Sequence, residues 1–190
     1  MKNFDKLSDI FHATDAYAVG VTPADLKEAA DAGELERRMR GVYKKSLAED
    51  LGEWTNYEVL AKGLKSRFAI CLLSALSHYG LTDQILEESW VMIDNNSAIH
   101  HNGVRFFRSR KPMWDIGIVD VDGIPFTSLE RTLVECLVHK KKVSPNEAHS
   151  ALIKALQGKK VKPWDVARIA EKMGHTQKIA KYLEPFLYAG

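Results

Sequence analysis

The sequence lacks the features of membrane-spanning, secreted and disulfide-rich proteins. Its 190 residues contain no apolar run near the roughly 18 residues that a membrane-spanning helix needs. The first fifteen residues, MKNFDKLSDIFHATD, include acids and no continuous apolar stretch, which is not the pattern of a secretory signal. The two cysteines, Cys71 and Cys136, both lie in apolar helical patterns, so we expect reduced core thiols in a cytosolic protein.

A strong excess of one charge is also missing. The chain has 27 lysines and arginines and 25 aspartates and glutamates, for a net charge of +2. Overall charge therefore does not indicate a nucleic-acid-binding protein, and only local clusters could do so. We find no internal repeat and no low-complexity segment, and the length allows one medium domain or a small domain followed by a larger one.

The first part of the chain combines short helical patterns with a hairpin. Apolar residues at helical spacing predict a first short helix that contains Phe4, Leu7, Ile10 and Phe11. A second helix is expected to end at Gly20, and a third to begin after Thr22, which forms a capping-box pattern with Asp25. The stretch LERRMRGVYKK at 35–45 predicts a two-stranded hairpin. Together these elements predict a winged helix-turn-helix domain over 1–47.

The remaining patterns predict a connecting segment at 48–61 and a larger mixed α/β domain at 62–190, so that the whole chain is α+β. Apolar spacing predicts a helix over 64–79. Short β-rich runs between 88 and 127, separated by DNN, HNG and DG turns, predict a small sheet. Capping patterns and a proline predict a C-terminal helical cluster over 127–139, 144–157, 163–174 and 176–187.

The turn at Gly20 and the hairpin that follows carry the pattern of a DNA-binding surface. Glycine permits the sharp turn, and the next helix would enter the major groove by its N-terminal residues. We therefore predict DNA contacts from Thr22, Ala24, Asp25 and Lys27. Between 37 and 45 the hairpin adds five basic residues without an acid, which would hold phosphates or place an arginine in the minor groove: Arg37, Arg38, Arg40, Lys44 and Lys45. The alternative is a solvated basic hairpin on a domain that binds a protein and does not contact DNA.

Three stretches carry a resemblance to a known family: RGVY at 40–43, ALSHYGL at 75–81 and DGIPFTSLERTL at 122–133. In this order they resemble the AbiEi antitoxins, the transcriptional-regulator partners of AbiEii-type nucleotidyltransferase toxins, over nearly the whole chain. The resemblance implies an N-terminal winged helix that binds operator DNA at inverted repeats upstream of its own operon, and a C-terminal α/β domain needed for antitoxin action.

The same resemblance implies a type IV toxin–antitoxin system, in which the antitoxin counters the effect of the toxin without necessarily forming a stable complex with it. On this basis we expect a cytoplasmic autorepressor that is not an enzyme, needs no cofactor and does not bind membranes.

Two patterns allow a metal interpretation, and each also has a structural one. Asp120 and Asp122 could bind Mg²⁺ as paired carboxylates do in nucleotidyltransferases, but a DG sequence is also typical of a hairpin turn. His100 and His101 lie in a polar loop. We favour the turn and the loop, and we predict no metal site. For Arg131 we favour an intramolecular ion pair over contact with a ligand; an enzyme that uses this arginine and the two aspartates on a nucleotide is the remaining rival.

The C-terminal half holds a second concentration of basic residues. Between 137 and 163, seven lysines stand against the single acid Glu147. Lysines at helix C-termini are partly explained by the helix dipole. The surface could extend the DNA footprint, approach a tRNA-like polyanion or be only solvated. The predicted secondary basic surface consists of Arg105, Arg108, Arg110, Lys111, Lys140, Lys141 and Lys142.

Overall fold

The computed structural model describes residues 3–94 and 99–187, and the chain divides into two compact units. The N-terminal unit spans residues 1–65 and the C-terminal unit spans residues 66–190. Each unit contains helices and its own sheet, which confirms the predicted α+β class. No helix in the described ranges is long and apolar enough to cross a membrane.

The N-terminal unit is built on a three-stranded antiparallel sheet in the order β1-β3-β2. A short 3-10 helix (Asn3–Lys6) precedes it, and a pair of helices lies between β1 and β2 in the chain. The elements are β1 (Ile10–His12), α1 (Ala13–Ala18), α2 (Pro23–Asp31), β2 (Leu35–Met39), β3 (Val42–Lys45) and α3 (Glu53–Gly63).

Both faces of this sheet are covered, and this explains two wrong predictions. Ile10 and Phe11 lie in β1 instead of a first helix: Phe11 packs into the core formed with α1 and α2, whereas Ile10 packs with Val42 and with Val59 of α3. Successive strand residues point to opposite faces, so two consecutive apolar residues are both buried here. α3 covers the second face, and the whole of the predicted connecting segment at 48–61 belongs to the N-terminal unit.

The C-terminal unit contains a five-stranded mixed sheet in the order β6-β5-β4-β8-β7. The pairs β4–β8 and β5–β6 are parallel, and β4–β5 and β7–β8 are antiparallel. The strands are β4 (Phe68–Ile70), β5 (Ser89–Asp94), β6 (Val104–Ser109), β7 (Ile118–Val121) and β8 (Ile124–Thr127). The sheet predicted between 88 and 127 is therefore confirmed, and β4 is an additional central strand.

The helix predicted over 64–79 is wrong in its first half. Phe68, Ala69 and Ile70 are all buried in β4, and the helix begins only at Leu72, after Cys71. A short continuous apolar run fits a fully buried strand as well as a buried helix, so periodicity alone could not separate the two. Leu72 itself has a φ of +49°, a left-handed conformation that lets the chain turn from strand into helix.

The helices of the C-terminal unit are α4 (Leu72–His78), α5 (Leu129–Val138), α6 (Pro145–Gln157), α7 (Pro163–Lys172) and α8 (Thr176–Leu187). Every residue from 131 to 137 is buried, so α5 is the central helix of the core. The predicted starts at Ser144 and Pro163 are confirmed. The cap of α5 is Ser128 and not Thr127, because the Thr127 hydroxyl is used inside the core.

Candidate nucleic-acid interface

The start of α2 is fixed by a reciprocal capping box, as predicted. The Asp25 carboxylate accepts hydrogen bonds from the Thr22 amide at 2.9 Å and from the Thr22 hydroxyl at 2.7 Å, and the Asp25 amide donates to Thr22 Oγ1 at 3.2 Å. These bonds satisfy amides that would otherwise be left without partners at the helix end. Thr22 and Asp25 therefore hold the helix, while Ala24 and Lys27 are the exposed members of the predicted contact set on α2.

The turn between α1 and α2 brings the two helices into contact. Gly20 has a φ of +85°, which glycine adopts without strain, and the Val21 amide donates to the Ala16 carbonyl at 3.0 Å. Ala16 is fully buried beside Leu26 of α2. A small residue on α1 and an apolar residue on α2 thus set the crossing of the pair.

The hairpin β2–β3 exposes two of its five predicted DNA contacts. Arg37 and Arg40 are exposed, and a bulge lies between Arg37 and Met39. Gly41 has a φ of +78°, and a Cβ there would lie 2.8 Å from Nε2 of His12, so the turn needs glycine for both reasons. The two arginines are therefore held next to a turn with little freedom.

Lys44 is not available for a phosphate contact, and this corrects the prediction from the hairpin sequence. The residue is only 3% exposed, and its ammonium group donates to the Ala48 carbonyl at 2.7 Å and to the Lys45 carbonyl at 3.4 Å. Lys44 lies two residues after the buried Val42 on β3 and shares its buried pattern. Its charge is directed to backbone carbonyls of the same unit.

Arg38 and Lys45 are also bound within the N-terminal unit. Arg38 lies 3.3 Å from Asp50 and 3.4 Å from Glu36, and it donates to Asn56 Oδ1 at 3.0 Å. The hydrogen bond from the Gly52 amide, followed by the Arg38 guanidinium, lowers the pKa of Asp50, so that partner stays ionised.

Lys45 donates to the Leu7 carbonyl at 2.7 Å and lies 3.6 Å from Asp9. Three of the five hairpin cations therefore have partners inside the protein. Residues 1–65 as a whole carry ten lysines and arginines and twelve aspartates and glutamates, a net charge of −2. Of the predicted DNA contacts of this unit, the exposed cations are Lys27, Arg37 and Arg40.

Two residues of the predicted secondary basic surface lie beside a tryptophan of the C-terminal unit. Arg105 lies 5.0 Å from the ring centroid of Trp90, and Lys142 lies 5.9 Å from it on the turn between α5 and α6. Glu88 forms an ion pair with Arg105 at 2.7 Å. Arg108 donates to the Ile99 carbonyl. The other four predicted residues are exposed: Arg110, Lys111, Lys140 and Lys141.

A histidine next to this lysine run was missed by the sequence analysis. Burial, and then the positive charges of His175, Lys142 and Lys178, lower the pKa of His139 to about 4. The imidazole is neutral at neutral pH, which reduces the repulsion within the cluster. Because His175 and Lys178 come from residues at the start of α8, no local pattern around His139 could have revealed the group.

The aspartates considered as a metal site form a turn. Asp122 and Gly123 have φ values of +50° and +82° between β7 and β8, and Asp120 Oδ1 accepts the Gly123 amide at 2.9 Å. Residues 3–94 and 99–187 contain no cluster of three or more histidines, cysteines and acids that could hold a metal ion. Cys71 and Cys136 are buried and free, as predicted.

Arg131 forms the intramolecular pair that we favoured. Only 1% exposed, it binds Glu135 Oε1 through Nε at 3.0 Å, and its two other nitrogens donate to the carbonyls of Met113, Ile116 and Pro112. Burial raises the pKa of Glu135 although the arginine opposes the shift. The guanidinium fixes the loop before β7 to helix α5, so it has no free donor face for a ligand.

The two stretches that carry the family resemblance in this unit pack against each other. The Tyr79 hydroxyl donates to the Thr127 carbonyl at 2.9 Å, and the His78 ring lies 4.5 Å from the Phe126 ring. Burial raises the pKa of Tyr79 to about 12, so the hydroxyl remains a donor. Gly80 ends the helix segment with a φ of +66°. These contacts join the end of α4 to β8.

Comparison with known proteins gives a likeness of fold. No protein-family model matches the sequence, and no curated protein does so. Among solved structures, the chain is similar to the crystal structure of the RV2827C protein from Mycobacterium tuberculosis, with a TM-score of 0.68 and 14% sequence identity. The match covers 93% of this chain and 72% of that chain. At this identity the likeness shows a shared fold alone.

Proposed function

We propose that the N-terminal unit is a winged helix-turn-helix domain that binds duplex DNA, and that the chain is the antitoxin and autorepressor of an operon with an AbiEii-type nucleotidyltransferase toxin. One observation carries the DNA-binding part. The helix pair α1–α2 lies in the chain between β1 and the hairpin β2–β3 of a sheet in the order β1-β3-β2, which is the order expected of a winged helix. In helix-turn-helix proteins the second helix of such a pair enters the major groove.

Few side chains are free to hold the DNA backbone in this arrangement. Lys27, Arg37 and Arg40 would contact phosphates, and the exposed methyl group of Ala24 suits contact with a thymine methyl. Each neutralised phosphate contributes about −0.9 to the slope of log K against log salt concentration. Three contacts therefore predict a slope of about −2.7 per protomer.

The antitoxin part of the proposal rests on the resemblance of 75–81 and 122–133 to AbiEi proteins. Since these stretches support the fold of the C-terminal unit, we propose that this unit counters the toxin through its surface and not through catalysis or a cofactor. Action in the cytoplasm, without a stable toxin complex, belongs to the same proposal.

The test uses the full chain and a labelled duplex from the region upstream of its own operon. DNA binding is measured by fluorescence anisotropy of this duplex at several salt concentrations, for the wild type and for Arg37→Ala/Arg40→Ala. The double variant should lose affinity, and its slope should flatten by about 1.8. Arg67→Ala, which removes an exposed arginine from the C-terminal unit, is the control and should bind as the wild type does. Equal affinity for an unrelated duplex would refute the operator assignment.

A protein-interaction module is the second candidate, and a surface depression favours it. The depression has a volume of about 560 Å³ in the N-terminal unit, and Leu47 on its edge is fully exposed. This function would be favoured if the immobilised chain retained the toxin, Leu47→Ser abolished that retention, and the wild-type chain did not shift operator DNA in a mobility-shift assay. Apolar and acidic side chains and one lysine line the depression: Phe4, Leu35, Leu47, Asp5, Glu28, Glu34 and Lys45.

A further inference from the structure

One tryptophan of the C-terminal unit lies on the surface. Trp164 is 58% exposed, whereas Trp90 is 5% exposed and the other two tryptophans are half-buried. It occupies the first turn of α7, a helix whose buried residues are Val166 and Ala170. Packing of the core therefore does not explain a large aromatic ring at this position.

A lysine lies beside this indole, in a turn that contains two further lysines. The turn before α7 contains Lys159, Lys160 and Lys162, and Lys162 Nζ lies 5.7 Å from the centroid of the Trp164 ring. Lys159 has a φ of +54° in an exposed turn. In the part of the chain that the structure describes, the ammonium groups of Lys159 and Lys162 have no carboxylate partner.

The neighbouring charges are already balanced. Asp165 forms an ion pair with Arg168 at 2.7 Å, and Lys154 forms one with Asp83 at 2.7 Å. Lys160 donates to the Tyr79 carbonyl. Lys162, beside the indole, and Lys159, three residues earlier in the same turn, thus remain available to an anion.

We propose that the turn between α6 and α7 binds unpaired nucleotides of a nucleic-acid strand, with a base stacked on Trp164 and phosphates held by Lys159 and Lys162. An exposed aromatic ring next to lysines is the combination by which proteins bind single strands, because every base has a π face and every linkage a negative charge. Bases inside a duplex are covered on both faces, so the indole selects unpaired nucleotides.

A membrane surface fits this turn less well than a nucleotide does. A helix that lies in a lipid interface presents a continuous apolar face. Around Trp164 the exposed residues are polar or charged, including Lys162 and Arg168, and the apolar residues Val166 and Ala170 are buried. A single flat ring among charges has the area for one base and not for insertion into lipid.

This site shares no residue with the proposed operator site or with the seven residues of the predicted secondary basic surface, although Lys159 and Lys162 belong to the lysine run between 137 and 163. It belongs to the C-terminal unit, whose seventeen lysines and arginines and thirteen acids give a net charge of +4. The inference goes beyond autorepression and can fail or hold independently of it. To keep the two apart, the experiment is done in the full-length Arg37→Ala/Arg40→Ala background.

The probes are an octamer of uridylate, an octamer of deoxythymidylate and a blunt-ended duplex without unpaired nucleotides. Binding of each is measured by fluorescence anisotropy of the labelled probe and by tryptophan fluorescence of the protein. We expect both octamers to quench the fluorescence and the duplex to bind at least tenfold more weakly. Trp164→Ala should weaken octamer binding roughly tenfold. Trp164→Phe should retain most of the affinity and lose most of the quenching, since phenylalanine still stacks.

Lysine variants give the second readout. Lys159→Ala/Lys162→Ala should weaken octamer binding and flatten its salt slope by about 1.4, which is ~0.7 for each phosphate of a single strand. Lys172→Ala, an exposed lysine in the last turn of the same helix, should leave affinity and slope unchanged. Thermal unfolding checks that Trp164→Ala is folded, as expected for an exposed residue.

The same measurements show whether the site binds RNA, DNA or both. Binding of both octamers, or of only one, supports the site and tells whether the 2′-hydroxyl contributes. Unchanged octamer affinity in Trp164→Ala, or equal affinity for octamer and duplex, would overturn the proposal. So would a fluorescence blue shift with phosphatidylglycerol vesicles in the absence of octamer binding. Operator binding by Trp164→Ala in the otherwise wild-type chain should be normal, because it depends on the N-terminal unit.

Discussion

The basic residues of the two units are used in opposite ways. The hairpin of the N-terminal unit has five cations within nine residues, yet three of them bind partners in their own unit and the unit carries a net charge of −2. In the C-terminal unit the lysines lie mainly in exposed turns between helices, and the net charge is +4. A dense run of cations on a strand therefore does not imply a positive surface, because alternate strand residues face the body of the protein.

The largest expected effect is that of Arg131, a buried arginine in the more basic unit. Arg131→Ala should lower the free energy of unfolding by about 3–5 kcal/mol, because it leaves the Glu135 carboxylate and three carbonyls without their buried donor. Urea denaturation measures the loss.

The control is Arg168→Ala, which breaks an exposed pair with Asp165 and should cost about 0–1 kcal/mol. A loss below ~1 kcal/mol for Arg131→Ala would mean that water replaces the guanidinium and that the arginine does not fix the loop to α5.

Lys44 tests the same distinction within the hairpin. Lys44→Met keeps the apolar stem and removes the ammonium group, so it should lower the free energy of unfolding by about 1–3 kcal/mol while leaving phosphate contacts intact. Arg40→Ala should do the opposite: stability within ~0.5 kcal/mol of the wild type and weaker DNA binding. Parallel denaturation and anisotropy measurements separate the two variants. A Lys44→Met variant of normal stability with a flattened salt slope would show that Lys44 reaches the DNA after all.

His139 tests how the C-terminal unit tolerates its own positive charge. The pKa of His139 in the folded chain, about 4, lies below the usual 6.5. The unfolded chain therefore takes up this proton first, and the histidine's contribution to stability is complete above pH 6.5 and is lost as the pH falls towards 4.

We expect a loss of about 1–2 kcal/mol between pH 7 and pH 5, reduced by solvent screening because the ring is only partly buried. In His139→Gln this part of the pH dependence should disappear. Denaturation of both proteins at several pH values gives the difference, and parallel profiles would contradict the lowered pKa.

Local signals in the sequence were sufficient for some elements and not for others. Thr22, Ser144 and Pro163 predicted the starts of their helices because caps act within one turn. The strands at 10–12 and 68–70 were missed, since consecutive apolar residues are buried in each of them, partly by elements that are distant in the chain.

The same reasoning applies to the candidate site. The burial of Lys44 follows from strand alternation, and the spacing of Val42 and Lys44 already contained that signal. Alternation does not explain the exposure of Arg37, because Leu35 two residues earlier is buried. Glu36, one partner of Arg38, lies two residues away on the same strand, whereas Asp50 and Asn56 come from the segment before α3 and from α3, which no local pattern indicates. The group around His139 likewise forms only when α8 packs beside α5.

The smallest expected effect concerns the exposed acids of α2. They belong to the more acidic unit and lie on the helix proposed to face DNA. Glu28 and Asp31 are exposed on the same helix as Lys27, and carboxylates near phosphates repel them. If α2 lies in the major groove, Glu28→Gln/Asp31→Asn should strengthen operator binding by about 0.3–1 kcal/mol, or roughly two- to fivefold, with the gain largest at low salt.

Glu171→Gln in α7 removes an exposed acid from the C-terminal unit and is the matched control; it should leave operator affinity unchanged. A general effect of net charge would raise affinity in the control as well, whereas a gain confined to the α2 variant requires that this helix approach the phosphates. No gain in either protein would place α2 away from the DNA, and the hairpin arginines would then have to account for binding alone.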